Sequence, residues 1–322
     1  SGLTAIISNL AYMAGPAFYF LYAFFPSDFG ATQAAAEQST SGLVRLSGLT
    51  FGFLALYNAV LALYGIRGIF NLRKPWRIAV VILAGAASLF AGFRSSMIAF
   101  TLIFAFLFYL EGLHRTRWML VTLLGAVLLG AFTLPFVSKM PFSVQRALSL
   151  LPIKIDSSVR QDAASSSQWR IDMWKVILPQ VPQYFFLGKG YRIDPAELYL
   201  TDQRILRGLA KSSDTAIVAG DYHSGPLTVL IPFGIFGLIG VVWFFIASFR
   251  ALYCNFKYGN PEIVRLNAML LAYFLTRLFF FIFIFGAFSE DLVVFVGIVG
   301  LSISLNNGIA KPSPVVLQRA ED

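Results

Sequence analysis

The chain has 322 residues, of which 57% are hydrophobic and 13% charged, and its formal net charge is +9. Soluble domains carry about 25% charged residues, so this composition excludes a soluble globular protein. Several apolar runs reach the roughly 20 residues that a helix needs to cross a bilayer. A transmembrane barrel would instead show alternating segments of about 10 residues. The predicted fold class is therefore all-α, a polytopic bundle of transmembrane helices.

The counts of cysteine and histidine restrict the chemistry. The chain has one cysteine, Cys254, and two histidines. A single cysteine excludes an intrachain disulfide, and so few soft ligands disfavour a zinc site. We expect no metal and no other cofactor.

Hydropathy predicts about eight spans. They run near residues 3–25, 49–70, 78–93, 96–110, 118–136, 226–249, 266–288 and 291–309. The third and fourth are short and are joined by a tight turn. The chain begins inside an apolar run without an initiator methionine, so we expect further spans upstream.

The short loops predict the orientation of these spans. Loops 71–77, 111–118 and 250–265 alternate along the chain and are all basic, whereas loops 25–42 and 289–291 lean acidic. Because Lys and Arg concentrate on the cytoplasmic side of a membrane, the three basic loops and both termini should be cytoplasmic. Cys254 would then lie in a cytoplasmic loop.

One polar segment on the outer face is much longer than a connector. It divides the chain into residues 1–136 with spans one to five, a large loop 137–225, and residues 226–322 with spans six to eight and a cytoplasmic tail. Long loops without a function are uncommon. Within it we expect short helices, one of them QWRIDMWKVIL at residues 168–178, lying at the membrane interface and capped by the serines before it.

His223 ends this loop, directly before span six. It is either a hydrogen-bonded interfacial residue or a general base, because histidine exchanges protons near neutral pH. Asp221 stands two residues earlier and could orient its ring. A Ser-His-Asp hydrolase is disfavoured because the chain has no nucleophile elbow.

Three arginines on the outer side are candidate anion ligands. Arg94, in AGFRSSMIAF, either snorkels to the membrane surface or presents its planar guanidinium to phosphate oxygens. Arg170 shares a helix face with Trp174 and makes either a cation–aromatic contact or a second phosphate contact. Arg192, in LGKGYRID, is of the same type, although this Gly-x-Gly lacks the Gly-Lys-Ser/Thr ending of a phosphate loop.

Arg277 lies in the middle of span seven. A charge at that depth is costly and marks a functional interior or a buried pair. No partner is evident, because Glu290 and Asp291 would lie about 20 Å away along a continuous helix.

Four of these features occur in a characteristic order. An FRSS turn stands between two spans, the large outer loop carries an Arg-x-x-x-Trp helix, and LGKGY follows with its Gly-x-Gly. A histidine then precedes a glycine-rich span in YHSGPLTVLIPFGIFGLIG. Over roughly residues 40–250 this arrangement, with RLSGLTFG at 45–52, resembles the O-antigen ligase and polymerase superfamily. The chain departs from the family's usual His-Asn, having His223 followed by Ser224.

The resemblance implies a metal-independent glycosyltransferase. Members transfer a glycan from an undecaprenyl-diphosphate carrier to an acceptor hydroxyl on a saccharide or a lipid-linked acceptor, and ligation and polymerisation use the same donor chemistry. The implied roles are catalytic base for His223, diphosphate binding for Arg94, Arg170 and Arg192, and support for Trp174, Asp221 and Arg277. The implied location is the bacterial inner membrane, with several spans, the active site facing the periplasm and no nucleic-acid partner.

Two other function classes stay open. A transporter or flippase of lipid-linked saccharides would bind the same anionic carriers, and it would place charges along a path through the bilayer. Arg277 fits such a path, but the chain shows no internal repeat of the kind that transporters often have. A structural membrane subunit whose loop binds a partner is the third class.

Overall fold

The computed structural model describes residues 2–25, 46–191 and 194–312, and within these ranges the chain forms helices and turns without a strand. The α-helices are α1 Gly2–Ala14, α2 Ser47–Ile69, α3 Trp76–Phe90, α4 Arg94–Leu110, α5 Arg117–Thr133, α6 Phe142–Ala147, α7 Ser157–Ile177, α8 Val181–Tyr184, α9 Pro195–Leu206, α10 Ser212–Val218, α11 Gly225–Tyr258, α12 Val264–Phe279 and α13 Phe288–Leu305. The prediction of an all-α membrane protein is confirmed.

The lengths of the helices bear on the number of spans. Among the described residues, five helical stretches are long and apolar enough to cross a membrane: Gly48–Ile69, Arg117–Lys139, Gly225–Tyr258, Pro261–Ile284 and Phe288–Leu305. Three other apolar helices, Leu3–Tyr12, Trp76–Phe90 and Arg94–Leu110, are shorter. The count of eight spans, and their orientation, stay predictions.

Two predicted boundaries were wrong. Helix α7 begins at Ser157, so the serine-rich stretch forms its first half rather than a loop before it. The Asp156 carboxylate accepts hydrogen bonds from the Ser158 N–H at 2.8 Å and its hydroxyl at 2.6 Å, which stabilises this start. Helix α11 continues to Tyr258, which places Cys254 inside a helix.

The helices form two compact units, Ser1–Ala164 and Ser165–Asp322. In the first unit, α2 packs against α1 and α3, and the short α6 packs against α3 and α4. Helix α2 is broken at Gly65, where the Glu111 carboxylate accepts hydrogen bonds from the N–H groups of Ile66 at 2.7 Å and Arg67 at 3.2 Å. This side chain therefore caps the second segment of the broken helix.

In the second unit, α11, α12 and α13 pack against one another. The ring of Phe245 lies 4.8 Å from that of Phe295 and 5.5 Å from that of Phe281, measured between centroids. Phe274 also contacts Phe295, at 5.4 Å. These edge-to-face aromatic contacts form the core of the three-helix group.

Candidate active site

His223 occupies an unusual backbone position directly before α11. Its φ angle is 49°, and the only other non-glycine residue with a positive φ in the described part of the chain is Asn307. The backbone N–H of His223 donates a hydrogen bond to Asp221 Oδ1 at 3.0 Å, which holds this conformation. A left-handed conformation costs free energy in a residue with a side chain, so the surrounding structure must impose it.

The Asp221 carboxylate also faces the His223 ring. Nδ1 of His223 is buried and lies 3.1 Å from Asp221 Oδ1, while the His223 side chain as a whole is 31% exposed. The ring is not aligned for a straight hydrogen bond. A proton on Nδ1 would leave the other ring nitrogen, Nε2, as the acceptor.

The charge of Asp221 is maintained by its neighbours. Partial burial raises the pKa of this carboxyl, but hydrogen bonding to His223 and the positive charge of Arg170 outweigh it, so the pKa of Asp221 lies below its ordinary value. The carboxylate is therefore ionised at neutral pH and stabilises positive charge on the His223 ring.

Helix α7 fixes this segment from one side. The Trp174 indole N–H donates a hydrogen bond to the carbonyl of Tyr222 at 2.8 Å. The Trp169 ring meets the His223 ring edge-on, with 5.0 Å between centroids. Met173, on the same helix, is buried together with Tyr222 in one apolar cluster. The two tryptophans therefore contact the adjacent residues Tyr222 and His223.

Arg170 brings a positive charge into the same region. Its guanidinium carbon lies 5.8 Å from the centroid of the Phe285 ring, a cation–aromatic contact. The same charge contributes to the lowered pKa of Asp221. The structure thus brings together Arg170, Trp174, Asp221 and His223, although whether any of them acts on a substrate stays a prediction.

The expectation that Arg277 has no partner within reach was wrong, because its guanidinium pairs with the Asp291 carboxylate. Helix α12 ends at Phe279, a π-helical turn follows over Phe280–Ile284, and α13 begins at Phe288. The chain reverses between the two helices, so the spacing along a continuous helix does not apply. Asp291 also accepts a hydrogen bond from the Ala287 N–H at 3.1 Å.

The other two predicted anion ligands stay predictions. Arg94 is the first residue of α4 and belongs to the first unit, and Phe93 before it is extended. Arg192 lies outside the described residues.

The Gly-x-Gly in LGKGY has a structural use that the sequence did not reveal. Gly188 has a φ of 73°, and a Cβ there would lie 2.2 Å from the Pro232 carbonyl oxygen. Gly234, where α11 is broken, has a φ of 67°, and its Cβ would lie 2.2 Å from the Phe186 carbonyl oxygen. Both positions therefore require glycine, since a side chain would collide with backbone atoms.

Backbone hydrogen bonds complete this junction. The N–H groups of Lys189 and Gly190 donate to the carbonyls of Ile231 at 2.7 Å and Pro232 at 3.0 Å, and the Ile235 N–H donates to the Phe185 carbonyl at 2.6 Å. The carbonyls of Ile231 and Pro232 and the N–H of Ile235 are backbone groups that lie at the break in α11. In the sequence, the break in α11 was indicated by a proline and a glycine, two residues apart, inside an apolar helix.

Within the ranges that the structure describes, no group of three or more His, Cys, Asp or Glu side chains is arranged to hold a metal ion. The charged groups of this unit lie near groups of opposite sign, with Arg170 near Asp221 and Arg277 paired with Asp291. Such an arrangement suits proton transfer next to an anionic group.

Comparison with protein families gives a match. The family model described as O-antigen ligase matches residues 78–242, just over half of the chain. No curated protein and no solved structure matches. The matched region runs from α3 to the first half of α11 and includes Arg94, Arg170, Asp221 and His223. With its apolar helices, this chain is a multi-pass bacterial membrane protein that belongs to the O-antigen ligase family.

Proposed function

We propose that this chain is a glycosyltransferase that moves a glycan from an undecaprenyl-diphosphate carrier to an acceptor hydroxyl, in the ligation or polymerisation of surface polysaccharide. Membership of the O-antigen ligase family supports a glycosyl-transfer role in polysaccharide assembly. The observation that carries the finer proposal is His223, held in a left-handed conformation with Nδ1 against the Asp221 carboxylate and part of its ring exposed. No metal ion takes part in the proposed reaction.

In the proposed reaction the acceptor hydroxyl oxygen bonds to the anomeric carbon of the donor sugar. The bond between that carbon and the phosphate oxygen breaks, and its electron pair leaves with the lipid diphosphate. The proton of the hydroxyl passes to Nε2 of His223, and the Asp221 carboxylate stabilises the imidazolium. General-base assistance of this kind contributes about 10²- to 10⁴-fold.

The leaving diphosphate gains negative charge in the transition state, and cations stabilise it there. We assign this role to Arg170, whose charge lies in the region of Asp221 and His223. Arg94 and Arg192 are proposed as further phosphate ligands on their sequence context, since a guanidinium matches phosphate oxygens with two donors. Trp174 supports the site by fixing the Tyr222 carbonyl.

The proposed location is the inner membrane, with the site on the periplasmic face. The basic short loops support this orientation, since they favour the cytoplasmic side. The ion pair of Arg277 with Asp291 weakens the transporter alternative, because an arginine paired with a carboxylate has less need of a passing anionic ligand.

The test is a transfer assay with the full chain in proteoliposomes, supplied with a labelled undecaprenyl-diphosphate oligosaccharide and a candidate acceptor. His223→Ala should lose transfer, and the matched control is His114→Ala, which changes the other histidine, stacked on Tyr109 at 4.5 Å. A ladder of lengthening glycans would indicate a polymerase and a single transfer to a lipid acceptor a ligase. Equal transfer by His223→Ala and the control would refute the base assignment. Movement of the donor between leaflets without transfer would support the flippase.

A further inference from the structure

Arg146 is a buried arginine beneath the turn that precedes Arg94. It lies on the short helix α6 and is 3% exposed. Its Nη1 donates a hydrogen bond to the Gly92 carbonyl at 2.5 Å, and its Nε donates one to Asp162 Oδ2 at 2.5 Å. All of these residues belong to the first unit, outside the group around His223.

The Gly92 carbonyl stands at the end of α3. The Gly92 N–H still donates to the Leu89 carbonyl at 3.1 Å, but the φ of Gly92 is 75° and the helix stops there. Carbonyls at a helix C-terminus lack helical partners and carry partial negative charge, so a guanidinium is a favourable partner. Arg146 therefore fixes the direction in which the chain leaves α3.

The next residue fixes the start of α4. Phe93 is extended, with φ −92° and ψ 118°, and its carbonyl accepts hydrogen bonds from the Ser96 N–H at 3.2 Å and the Ser96 hydroxyl at 2.6 Å. The Gly92 carbonyl thus accepts a hydrogen bond from the Arg146 side chain. The Phe93 carbonyl accepts hydrogen bonds from Ser96 in the first turn of α4. Arg94 follows as the first helical residue, and its backbone position is set by both contacts.

A charge buried this deeply is stable only with a partner, which Asp162 provides. The side chains of the pair are 4% and 2% exposed. A lysine would keep the charge but not the fixed fork of donors that reaches Gly92 and Asp162 together. The neighbouring Gln145 adds to the same anchor, because its Oε1 accepts from the Asp156 N–H at 2.9 Å just before α7.

We propose that Arg146, held by Asp162, is a positioning residue that places the Arg94 guanidinium for binding the diphosphate of the donor. This inference rests on the proposed function, since it takes Arg94 as a phosphate ligand. Arg146 itself does not touch the substrate.

The test measures donor dependence with the full chain in proteoliposomes, at several mole fractions of undecaprenyl-diphosphate oligosaccharide. Arg146→Lys should raise the apparent KM for the donor about tenfold, with a smaller change in kcat. Arg94→Ala should raise this KM at least as much. The double variant should be no worse than Arg94→Ala, because positioning has no value once the guanidinium is gone. The matched control, Arg160→Lys, changes an exposed arginine on α7 and should leave the KM unchanged.

A merely structural role for Arg146 predicts that its defect multiplies with that of Arg94→Ala, and this result would overturn the inference. Wild-type donor KM in Arg146→Lys, beside a defective Arg94→Ala, would overturn it as well. An unaffected Arg94→Ala would instead remove Arg94 from the proposed function itself.

Hydrogen exchange supplies a readout that is independent of activity. Residues 91–98 should exchange faster in Asp162→Asn, which removes the charge partner of Arg146 but keeps the size of the side chain. This variant also serves where Arg146→Lys does not fold. Wild-type exchange in residues 91–98, together with a wild-type donor KM, would overturn the inference.

Discussion

The two ends of the three-helix group α11–α13 in the second unit use polar residues in opposite ways. One end, where α11 begins and α12 ends, carries ionisable side chains: His223, Asp221 and the pair of Arg277 with Asp291. The other end, where α11 ends and α13 ends, carries neutral side chains: Asn255, Asn267, Ser302 and Asn306. Both sets lie among apolar helices.

The neutral set is closely hydrogen-bonded. The Asn255 amide nitrogen donates to Ser302 Oγ at 3.1 Å and to the Gly308 carbonyl at 3.2 Å, and its Oδ1 accepts from the Ala310 N–H at 2.8 Å. Asn267 and Asn306 exchange hydrogen bonds at 3.0 and 2.9 Å. Such a network is fixed by its own contacts and holds helix ends together.

The charged set is less complete. The His223 ring faces Asp221 without a straight hydrogen bond. A buried group left unsatisfied calls for an explanation, whereas a purely structural network satisfies its groups. The comparison supports the proposal that the end with His223 serves the reaction, whereas the end with Asn255 serves stability.

The largest expected effect comes from His223→Ala, which should lower transfer about 10³-fold, within the range of general-base catalysis. The thermal midpoint should change little, because the ring is partly exposed. Transfer rate and melting temperature measured on one preparation test both statements. A large loss of stability with normal transfer per folded molecule would show that His223 serves stability rather than transfer.

Asn255→Ala should show the opposite pattern. Loss of the buried amide leaves several groups without partners and should destabilise the protein by about 3 kcal/mol, while transfer per folded molecule stays normal. Denaturant unfolding in mild detergent, with transfer normalised to folded protein, measures it. A selective loss of transfer at normal stability would show that this end also serves the reaction.

Asp221→Asn should lower transfer about 30-fold, because the His223 ring loses its charge partner but not its place. The pKa of Asp221 is lowered in the folded protein, so its stabilising charge is present above about pH 4 and is lost only as the pH falls through the folded value. Transfer rates of this variant and the wild type at about pH 7.5, where the carboxylate is ionised, measure the defect. Wild-type transfer in Asp221→Asn would contradict the assignment.

The smallest expected effect is that of Ser302→Ala, which removes one of the acceptors for the Asn255 amide and should cost about 1 kcal/mol of stability. Ser304→Ala, at an exposed position on the same helix, is the matched control and should cost nothing measurable. The difference between their unfolding midpoints sharpens the account of the neutral network. Equal midpoints would show that the hydrogen bond to Ser302 contributes no net stability.

Some of the site followed from local sequence. The two-residue spacing of Asp221 and His223 predicted their contact, because the residues of a tight turn stay close together whatever surrounds them. The four-residue spacing of Arg170 and Trp174 placed both side chains on one face of a helix, because residues four apart are neighbours on the helix surface. Composition and long apolar runs determined the all-α membrane class, since the bilayer imposes helix length directly on the sequence.

Tertiary structure alone decided the rest. Asp291 reaches Arg277 because a π-helical turn and a chain reversal bring back a residue that a continuous helix would carry far away. Arg146 reaches Gly92, 54 positions away, through the packing of α6 against α3 and α4. Gly188 and Gly234 are needed because two backbones meet at one point. Local spacing fixes contacts within a turn or a helix, but contacts between elements depend on packing, which no local pattern records.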